Sequence, residues 1–481
     1  MNIRIYNTLT RRKEILSPVK DGEVSMYVCG PTVYKPSHVG HMVGPVIFDT
    51  IKRFLVHSGY KVKFVINITD IDDKLIAEAP RRNMSVTELA SEVTADYKNC
   101  LAKLEVTGVD LFPKATDHIP EIIDMISGLI DKGLAYPSDG DVYFDISKDS
   151  DYGKLCNRDP EQLEAGARIE VSAFKKNPGD FALWKKSKQG EPKWQSPWGD
   201  GRPGWHIECS AMSMKHLGET IDIHGGGLDL QFPHHENELA QTESFTGKPF
   251  VRQWMHNGLM KAGDKKMSKS EGNEIVVSSL LHKYKPDCLR YLLLASHYRS
   301  PIEFSDERLA EIKRTLDTFY RFFDRYQRIA NQSFFTLKPG ISDYSVDEEL
   351  AILNEKFFGF LSDDFNTGAA IGVLHDLVGF LNRLVELEKL ESARPRGAID
   401  LFCLGTELLR IFSNILGLFV RPVQLTEIVD IDARLVDLLV DLRNDARLSK
   451  NFQLADKIRK RLHELGIVLE DRAGATGWHR E

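Results

Sequence analysis

The sequence predicts an α/β protein whose parallel sheet is interrupted by an insertion and followed by an α-helical bundle and a small C-terminal domain. Three observations favour this fold. Two apolar runs, 24–29 and 61–68, are typical of buried strands and flank an amphipathic helical pattern over 44–58. Helical patterns rich in Leu and Phe fill 305–418. At about 100 to 200 residues per domain, 481 residues also require several structural units.

The first strand, helix and strand form a βαβ unit, the building block of a Rossmann-like domain. Such units gather ligands at the carboxyl ends of their parallel strands. Cys29 and Thr69 follow those two strand ends, and His38 and His41 lie between the first strand and its helix. We therefore expect these four residues to meet at one edge of the sheet.

Changes in sequence character divide the rest of the chain. A loop-rich stretch with three tryptophans interrupts the parallel-sheet pattern after residue 115, and polar or proline-containing boundaries follow near 261, 305 and 422. We expect six segments: 1–115, the first half of the Rossmann-like domain; 116–203, the insertion; 204–260, its second half; 261–304, a loop and connecting fold; 305–422, the helical bundle; and 423–481, the C-terminal domain.

Composition limits the classes of protein that fit. A hydrophobic fraction of 42% and a charged fraction of 28% exclude a disordered or fibrous chain. The net charge of −7 excludes a generally basic nucleic-acid binder, so contacts with polyanions must be local. The sequence shows no apolar leader and no membrane-length apolar run, and its six cysteines are too scattered for a disulfide framework. We expect a cytoplasmic protein without membrane contacts.

Two short motifs suggest phosphate chemistry. His38 and His41 precede a helix, where backbone N–H groups and two imidazoles can donate hydrogen bonds to a phosphoryl group. Lys266 and Lys269 belong to the segment KMSKS, whose ammonium and hydroxyl groups suit a pyrophosphate. Either motif alone is as readily a packing feature or a solvated basic loop. Both in this order within a βαβ protein favour the catalytic interpretation.

Residue chemistry also suggests a metal site without deciding its ligands. After Pro233, His234 and Glu238 have the i, i+4 spacing of one helix face, but His235 and Glu238 form a competing i, i+3 pair. Thiolates are the other usual zinc ligands, and Cys29 and Cys209 lie near the motifs. Because no C-x-x-C is present, spacing alone leaves the set open.

Two further patterns concern nucleotides. The glycines at 225–227 can let a nucleotide approach the backbone, and Asp229 can accept a hydrogen bond from a ribose hydroxyl, although a tight turn is the simpler interpretation. Residues 443–461 hold seven basic and two acidic side chains, with Phe452 and Trp478 as stacking surfaces nearby. This segment is either an RNA-binding patch or a solvated helix face.

Longer motifs reveal a family. The segments MYVCGPTVY at 26–34, NITDIDDK at 67–74 and GRPGWHIECS at 201–210 resemble those of cysteinyl-tRNA synthetases, which are class I aminoacyl-tRNA synthetases. Residues 224–238 and 363–367 resemble the same family, so the resemblance covers essentially the whole chain. One departure is Val43, which stands where the family commonly has Arg.

The resemblance implies roles for individual residues. It makes the insertion a connective domain, the parallel-sheet domain the catalytic one and 423–481 an anticodon-binding, RNA-binding domain. The implied site residues are, for phosphate catalysis, His38, His41, Lys266 and Lys269; for ATP, the same four with Gly226, Gly227 and Asp229; for the cysteine substrate, Cys29, Thr69 and Trp205; for one zinc ion, Cys29, Cys209, His234 and Glu238; and for tRNA, Arg447, Asp456 and Trp478.

The sequence therefore predicts a monomeric ligase that uses ATP and Mg²⁺ to convert L-cysteine to cysteinyl-adenylate and transfers it to tRNA(Cys). A zinc ion would select the substrate thiol. One rival is a synthetase-like ligase that joins cysteine to an amino-sugar acceptor, and another is an inactive, zinc-stabilised RNA-binding protein. The C-terminal segment argues against the first, and the intact signature residues argue against the second.

Overall fold

The computed structural model describes residues 2–157, 175–262, 265–266, 275–338, 340, 343–422, 428–472 and 475–480. Their contacts divide the chain into two compact units, Met1–Val420 and Arg421–Glu481. The strands are β1 Arg4–Asn7, β2 Arg12–Ile15, β3 Glu23–Val28, β4 Lys61–Ile66, β5 Ala135–Ser138, β6 Asp141–Phe144, β7 Phe181–Lys186, β8 Gly201–Pro203, β9 Ile221–Gly227, β10 Val251–Asn257, β11 Met260–Ala262, β12 Lys265–Lys266, β13 Ile302–Phe304, β14 Ile467–Arg472 and β15 Ala475–Arg480.

The α-helices of the described residues alternate with these strands in the first half of the chain and dominate the second half. They are α1 Gly40–His57, α2 Asp73–Glu78, α3 Val86–Lys103, α4 Ile119–Asp131, α5 Trp205–Leu217, α6 Glu236–Thr246, α7 Val277–Lys283, α8 Pro286–Leu294, α9 Asp306–Ala330, α10 Glu348–Ser362, α11 Thr367–Leu387, α12 Arg396–Leu416, α13 Ile428–Leu448 and α14 Phe452–Glu464.

A four-stranded parallel sheet forms the centre of the larger unit, in the order β10–β9–β3–β4. β3, α1 and β4 are the predicted βαβ unit, so the predicted α/β class with a parallel sheet is confirmed. The carboxyl-terminal residues of β3 and β4 are buried, as in strands that are covered on both faces. The carboxyl ends of all four strands meet at one edge, where Cys29, Asn67, Gly227 and Asn257 lie.

The helix α1 begins earlier than the apolar pattern of 44–58 suggests. It starts at Gly40 and contains Pro45, so His41 belongs to its first turn. The sequence pattern misses this turn because two glycines and a proline between 40 and 45 interrupt the apolar periodicity. The structure thus fixes the second histidine to the helix rather than to the preceding loop.

The predicted insertion, 116–203, contains an antiparallel sheet, and its core cluster also includes Ile207, Ala211 and Ala240 of α5 and α6. Strands β5, β6, β7 and β8 pair in that order, and α4 supplies buried apolar side chains to the same cluster. Trp184 is completely buried in it, and Trp198 meets Trp184 edge-on with ring centroids 6.1 Å apart. The described part of this segment is therefore built around its aromatic residues.

Helices α9 to α12 form the bundle that the Leu- and Phe-rich patterns predicted. Phe357 of α10 and Phe412 of α12 stack with ring centroids 3.8 Å apart. Among the described helices, α11 is the one long and apolar enough to cross a membrane by length and composition, and 44% of its most apolar window is buried inside the protein. Its buried residues face the bundle core.

The smaller unit contains α13, α14 and a hairpin of β14 and β15. Its core consists of five buried aliphatic residues, with Ile458 and Trp478 packed against them: Val436, Val440, Leu462, Ile467 and Leu469. The sequence analysis predicted the two helices but only a short tail after them. The hairpin escaped notice because its strands carry several charged residues and lack a clear apolar alternation.

Candidate active site

An open cavity of about 370 Å³ lies at the carboxyl edge of the central sheet. It unites residues from distant parts of the chain that the sequence analysis assigned to the substrate thiol, the ATP phosphates and the ribose. The lining residues that matter here are Cys29, Thr32, His38, His41, Val43, Lys74, Trp205, Gly226, Gly227, Asp229, Asn257 and Met260.

The glycines at 225–227, of which Gly226 and Gly227 line the cavity, belong to a strand and not to a tight turn. They end β9, and each is constrained by a different neighbour. A Cβ on Gly225 would lie 2.0 Å from the Phe48 ring, and one on Gly226 would lie 2.8 Å from the His235 ring. A Cβ on Gly227 would lie 2.6 Å from the Asp229 carboxylate. A side chain at any of these three positions would therefore clash with a neighbouring side chain.

His38 and His41 face each other at the start of α1, with ring centroids 3.6 Å apart. Burial, together with the neighbouring His38 and Lys74, lowers the pKa of His41 to about 3. His41 is therefore a neutral imidazole near pH 7 and acts as a hydrogen-bond donor rather than a cation. We name the group of His38, His41 and Lys74 the phosphate end of the cavity.

Lys74 is a cavity residue to which the sequence analysis gave no role. Among the described residues, no carboxylate pairs with its ammonium group, which lies 5.7 Å from the centre of the Tyr34 ring. The backbone N–H of Lys74 donates to Asp72, which caps α2 and fixes where the side chain starts. Its position after a strand end in NITDIDDK was the available signal, since cations at such ends often meet phosphates.

The described part of the KMSKS segment is small. Lys266 lies in β12, which pairs with β11, and Met260 of β11 lines the cavity. After the segment, the backbone N–H of Val39 donates to the carbonyl of Ile275 at 3.0 Å. The side chain of Lys266 and the whole of Lys269 lie outside the described residues, so their predicted role stays a prediction.

Cys29, Cys209, His234 and Glu238 form a compact cluster beside the cavity, which we name the thiol end. Their ligand atoms all lie within 4.8 Å of one another. The two sulfur atoms are 3.8 Å apart, Cys29 Sγ is 3.3 Å from Glu238 Oε1, and His234 Nε2 is 3.0 Å from the same oxygen. Two thiols, an imidazole and a carboxylate are a donor set that suits a zinc ion.

Burial and hydrogen bonds shift the pKa values of the side chains in this cluster. Desolvation opposes ionisation of Cys209, but hydrogen bonds with Cys29 and His234 lower its pKa to about 6. Desolvation also opposes ionisation of Glu238, yet His224 and His234 hold its pKa well below the ordinary value. Thiolate and carboxylate are the forms that bind a metal ion. Burial raises the pKa of the Cys29 thiol well above its ordinary value, and despite burial the neighbouring Glu238 and Cys209 raise the pKa of His234 to about 10. Two donors are therefore ionised in the cluster, and Cys29 and His234 would release a proton when a cation binds.

A second set, Cys29, His224, His235 and Glu238, also lies within the same distance limit. It shares two members with the first set, and His224 Nε2 lies 2.8 Å from Glu238 Oε2. This second set contains His235 and Glu238, the i, i+3 pair that the sequence left as an alternative. His234 and His235 lie in the π-helical turn Gln231–His235 and not in α6 itself. Because of this turn, both histidines lie close enough to Glu238 to belong to a ligand set.

Besides Cys29, the residues predicted to hold the cysteine substrate are Thr69 and Trp205, which differ in exposure. Trp205 begins α5, is 38% exposed, and stacks on His234 with ring centroids 4.2 Å apart. Thr69 is buried and pairs with the cavity residue Thr32 rather than lining the cavity itself. Its hydroxyl accepts a hydrogen bond from the Asn67 amide at 3.3 Å.

The predicted tRNA-binding residues belong to the smaller unit. Arg447 and Asp456 are exposed, whereas the Trp478 indole N–H donates to Asp437 at 2.8 Å and its ring packs against the small core. Phe452 is 60% exposed and so presents more free ring surface than Trp478. Arg443, which the sequence analysis counted in the basic patch, is 3% exposed and contributes no accessible charge.

Comparisons with known proteins agree with this geometry. Residues 15–314 match the family model described as tRNA synthetases class I (C) catalytic domain, and residues 356–420 match the DALR domain. The chain is similar in fold to methionyl-tRNA synthetase of Mycobacterium tuberculosis in complex with methionyl-adenylate, with a TM-score of 0.61, 16% identity, and coverage of 82% of this chain and 89% of the other. This likeness shows a class I synthetase fold.

Curated relatives match the whole chain. The cysteine–tRNA ligases of Persephonella marina and Aquifex aeolicus are each 45% identical to it, over 100% of this chain and 100% and 99% of theirs. That of Thermococcus onnurineus is 44% identical over 100% of this chain and 99% of its own. The chain therefore belongs to the cysteine–tRNA ligase family of class I aminoacyl-tRNA synthetases.

Proposed function

We propose that this protein activates L-cysteine with ATP and transfers the cysteinyl group to tRNA(Cys). The observation that carries the proposal is that Cys29 of the thiol end and His38 and His41 of the phosphate end line one cavity. A thiol amino acid held at one end would present its carboxylate toward the other. A carboxylate and a phosphate must meet in this way to form an adenylate.

The side chains of the phosphate end fit the needs of adenylate formation. The nucleophile is the substrate carboxylate, which is already ionised, so no general base is required. His38 and His41 would donate hydrogen bonds to the α-phosphate, and Lys74 would add a positive charge near them. Lys266 and Lys269 would neutralise the leaving pyrophosphate, and Mg²⁺ would accompany ATP. Asp229 would hold the ribose, with Gly226 and Gly227 allowing close approach of the nucleotide.

We assign the metal ligands to Cys29, Cys209, His234 and Glu238. This set includes the second thiol, Cys209. In addition, Nδ1 of His206 lies 2.9 Å from Nδ1 of His234, and a partner of this kind fixes the orientation of a ligating imidazole. His224 then serves as the partner of Glu238. A bound zinc ion would supply a soft Lewis acid that prefers a thiolate to a hydroxyl.

The choice between the two candidate ligand sets has a direct test. His234→Ala should lose zinc, while His235→Ala should retain it, as measured by elemental analysis after chelator washing. Loss only in His235→Ala would transfer the assignment to the set that contains His224 and His235, and retention in both variants would contradict both sets.

Cysteine-dependent exchange of pyrophosphate into ATP, measured without tRNA, tests the first half of the reaction. Charging of tRNA(Cys) tests the second half. Absence of cysteine-dependent exchange in zinc-replete protein would contradict the proposal, and cysteine transfer to an amino sugar instead of tRNA would favour the rival ligase.

Serine provides the test of selection by the metal. A pocket that only accommodates a side chain discriminates by about 100-fold between near-isosteres. The insertion, 116–203, is too short for a full editing fold, so selection at the metal should give a cysteine-to-serine ratio of kcat/KM well above that value. A ratio of about 100 or less would remove the metal from this role.

Recognition of tRNA is assigned to the smaller unit, with Arg447, Asp456 and Trp478 as base-reading residues. Arg447→Ala in the full chain should weaken charging and leave pyrophosphate exchange unchanged. The unit boundary offers a stronger test, because a folded protein that ends at Val420 should keep exchange and lose charging. A cytoplasmic location and a monomeric state belong to the same proposal and can be checked by cell fractionation and sedimentation.

A further inference from the structure

Tyr97 is a buried tyrosine in the wall of the cavity, and its hydroxyl group has no partner within the described chain. The side chain is 1% exposed, and no described residue lies within hydrogen-bond distance of the hydroxyl oxygen. Burying a hydroxyl group without a hydrogen bond costs free energy, so native proteins seldom do so. Because Tyr97 lines the cavity, a ligand bound there can provide the missing partner.

Two other buried tyrosines show the usual arrangement. Tyr298 is 1% exposed, and its hydroxyl donates to Asp364 at 2.9 Å. Tyr152 is 8% exposed, and its hydroxyl donates to Asn237 at 2.5 Å. Neither of these tyrosines lines the cavity, and in both cases the chain itself provides the acceptor. Tyr97 lacks such an acceptor within the described chain, and it lies where a substrate can reach it.

The helix α3 brings Tyr97 to the phosphate end. This helix packs against α1 and α2, the two helices whose first turns belong to that end. The carboxylate of Asp96, the neighbour of Tyr97, accepts the backbone N–H of Ser37 at 2.9 Å, and Ser37 directly precedes His38. All three residues of the phosphate end line the same cavity as Tyr97. Tyr97 therefore belongs to the same part of the cavity wall as the phosphate end.

The hydroxyl of Tyr97 is suited to donate a hydrogen bond. Burial raises the pKa of Tyr97 above its ordinary value, so the hydroxyl keeps its proton near pH 7. A charged oxygen is the acceptor that such a donor binds most strongly. Val43, which also lines the cavity, has no polar side-chain atom and cannot donate. Under the proposed function, the ATP triphosphate brings charged oxygens to this part of the cavity.

We propose that the Tyr97 hydroxyl donates a hydrogen bond to a phosphate oxygen of bound ATP. This inference rests on the proposed function, since it adds a residue to the site that holds the nucleotide. One consequence is selectivity, because a ligand without phosphates leaves the hydroxyl buried and without a partner. The other consequence concerns stability, because the protein without nucleotide contains an unfavourable buried group that ATP satisfies.

The test compares ATP with adenosine, which has the base and the ribose but no phosphate, by equilibrium titration of the full-length protein with Mg²⁺. Tyr97→Phe keeps the ring and removes only the hydroxyl. It should weaken ATP binding about 10- to 100-fold and change adenosine binding less than about 3-fold, because only ATP carries the charged acceptor. In pyrophosphate exchange, KM for ATP should rise and KM for cysteine should stay as in the wild type.

Thermal unfolding separates this role from a purely structural one. Without nucleotide, Tyr97→Phe should unfold at a temperature at least as high as the wild type, because it removes a buried hydroxyl that has no partner. At one fixed ATP concentration, the rise in unfolding temperature should be smaller in the variant, because ATP binds it more weakly.

Tyr326→Phe is the matched control. Tyr326 is also 1% exposed, but it lies in α9 of the bundle and does not line the cavity. Its substitution removes the same hydroxyl group from an equally buried ring. The affinities for ATP and adenosine, and KM for ATP, should remain as in the wild type.

An unchanged affinity for ATP in Tyr97→Phe would overturn the inference, since it would show that the hydroxyl does not need ATP as a partner. Equal losses for ATP and adenosine would also overturn it, as would a lower unfolding temperature without ATP or an equal rise in KM for cysteine. These outcomes differ from failure of the proposed function. In that case wild-type protein would show no cysteine-dependent exchange, while the two titrations would still report on Tyr97.

Discussion

The two ends of the cavity hold their polar side chains by different physical means. At the thiol end, Cys209, His234 and Glu238 are each at most 1% exposed and lie within hydrogen-bond reach of other members of their cluster. At the phosphate end, His41 is only partly buried, and Lys74 is exposed and has no carboxylate partner among the described residues. At one end the side chains already contact one another, whereas the other end offers hydrogen-bond donors and a positive charge to the open cavity.

This difference indicates how each end should respond to substitution. A buried cluster of mutually dependent donors is cooperative, so the loss of one member compromises the whole site. Donors around an open cavity contribute more independently, and part of each contribution is screened by water. We therefore expect a graded series of effects, with the largest at the thiol end.

Cys209→Ser should have the largest effect. We expect the protein to lose the zinc ion proposed for this cluster and cysteine-dependent pyrophosphate exchange to fall at least about 1000-fold, beyond the roughly 10- to 100-fold that loss of a ligand's hydrogen-bond partner costs. Cys288→Ser is the control, because Cys288 is equally buried in the apolar core, away from the cluster. Full zinc content and full activity in Cys209→Ser would contradict the picture of a cooperative cluster.

Lys269→Ala should come next. An ammonium that meets the leaving pyrophosphate contributes mainly to the transition state, so the exchange rate should fall by about 30- to 1000-fold. The KM for cysteine should change little and serves as the internal control. An unchanged exchange rate would remove Lys269 from the mechanism.

Lys74→Met should have a smaller effect, about 10-fold on exchange, because its exposed charge is partly screened. The loss should shrink as salt concentration rises. Lys98→Met provides the comparison, since Lys98 also lies over an aromatic ring, Phe112, but does not line the cavity. Equal effects of the two substitutions would show that Lys74 has no special place at the phosphate end.

The smallest expected effect concerns His41 and acid stability. Its folded pKa of about 3 lies below the ordinary value of 6.5, so between these values the unfolded chain binds a proton that the folded chain does not. The stability linked to His41 is thus complete above pH 6.5 and is lost as pH falls toward 3. Between pH 7 and pH 5, His41→Asn should lose about 1 to 2 kcal/mol less unfolding free energy than the wild type.

Urea unfolding at both pH values measures this difference. The exposed His282 provides the control, and His282→Asn should follow the wild type. An equal loss of stability in His41→Asn and wild type would show that His41 is not desolvated in solution.

Short-range sequence patterns predicted much of the architecture. The βαβ unit and the helices of the bundle follow from apolar periodicity, which is a local property of the chain. Apolar periodicity did not predict the hairpin of β14 and β15, because its strands contain charged residues. It also did not predict the start of α1, because Gly and Pro interrupt the apolar pattern there. Packing against the rest of each unit decides such elements.

The residue types of the site, and not their partners, were determined by the sequence. Motifs and resemblance named Cys29, His38 and His41, since short segments preserve the identity of reactive groups. Only the tertiary structure brought Cys29 within 3.8 Å of Cys209, 180 positions away, and produced two competing ligand sets around Glu238. It alone also placed Lys74 in the same cavity wall as His38 and His41, because the folding of the chain in space decides which side chains lie close together.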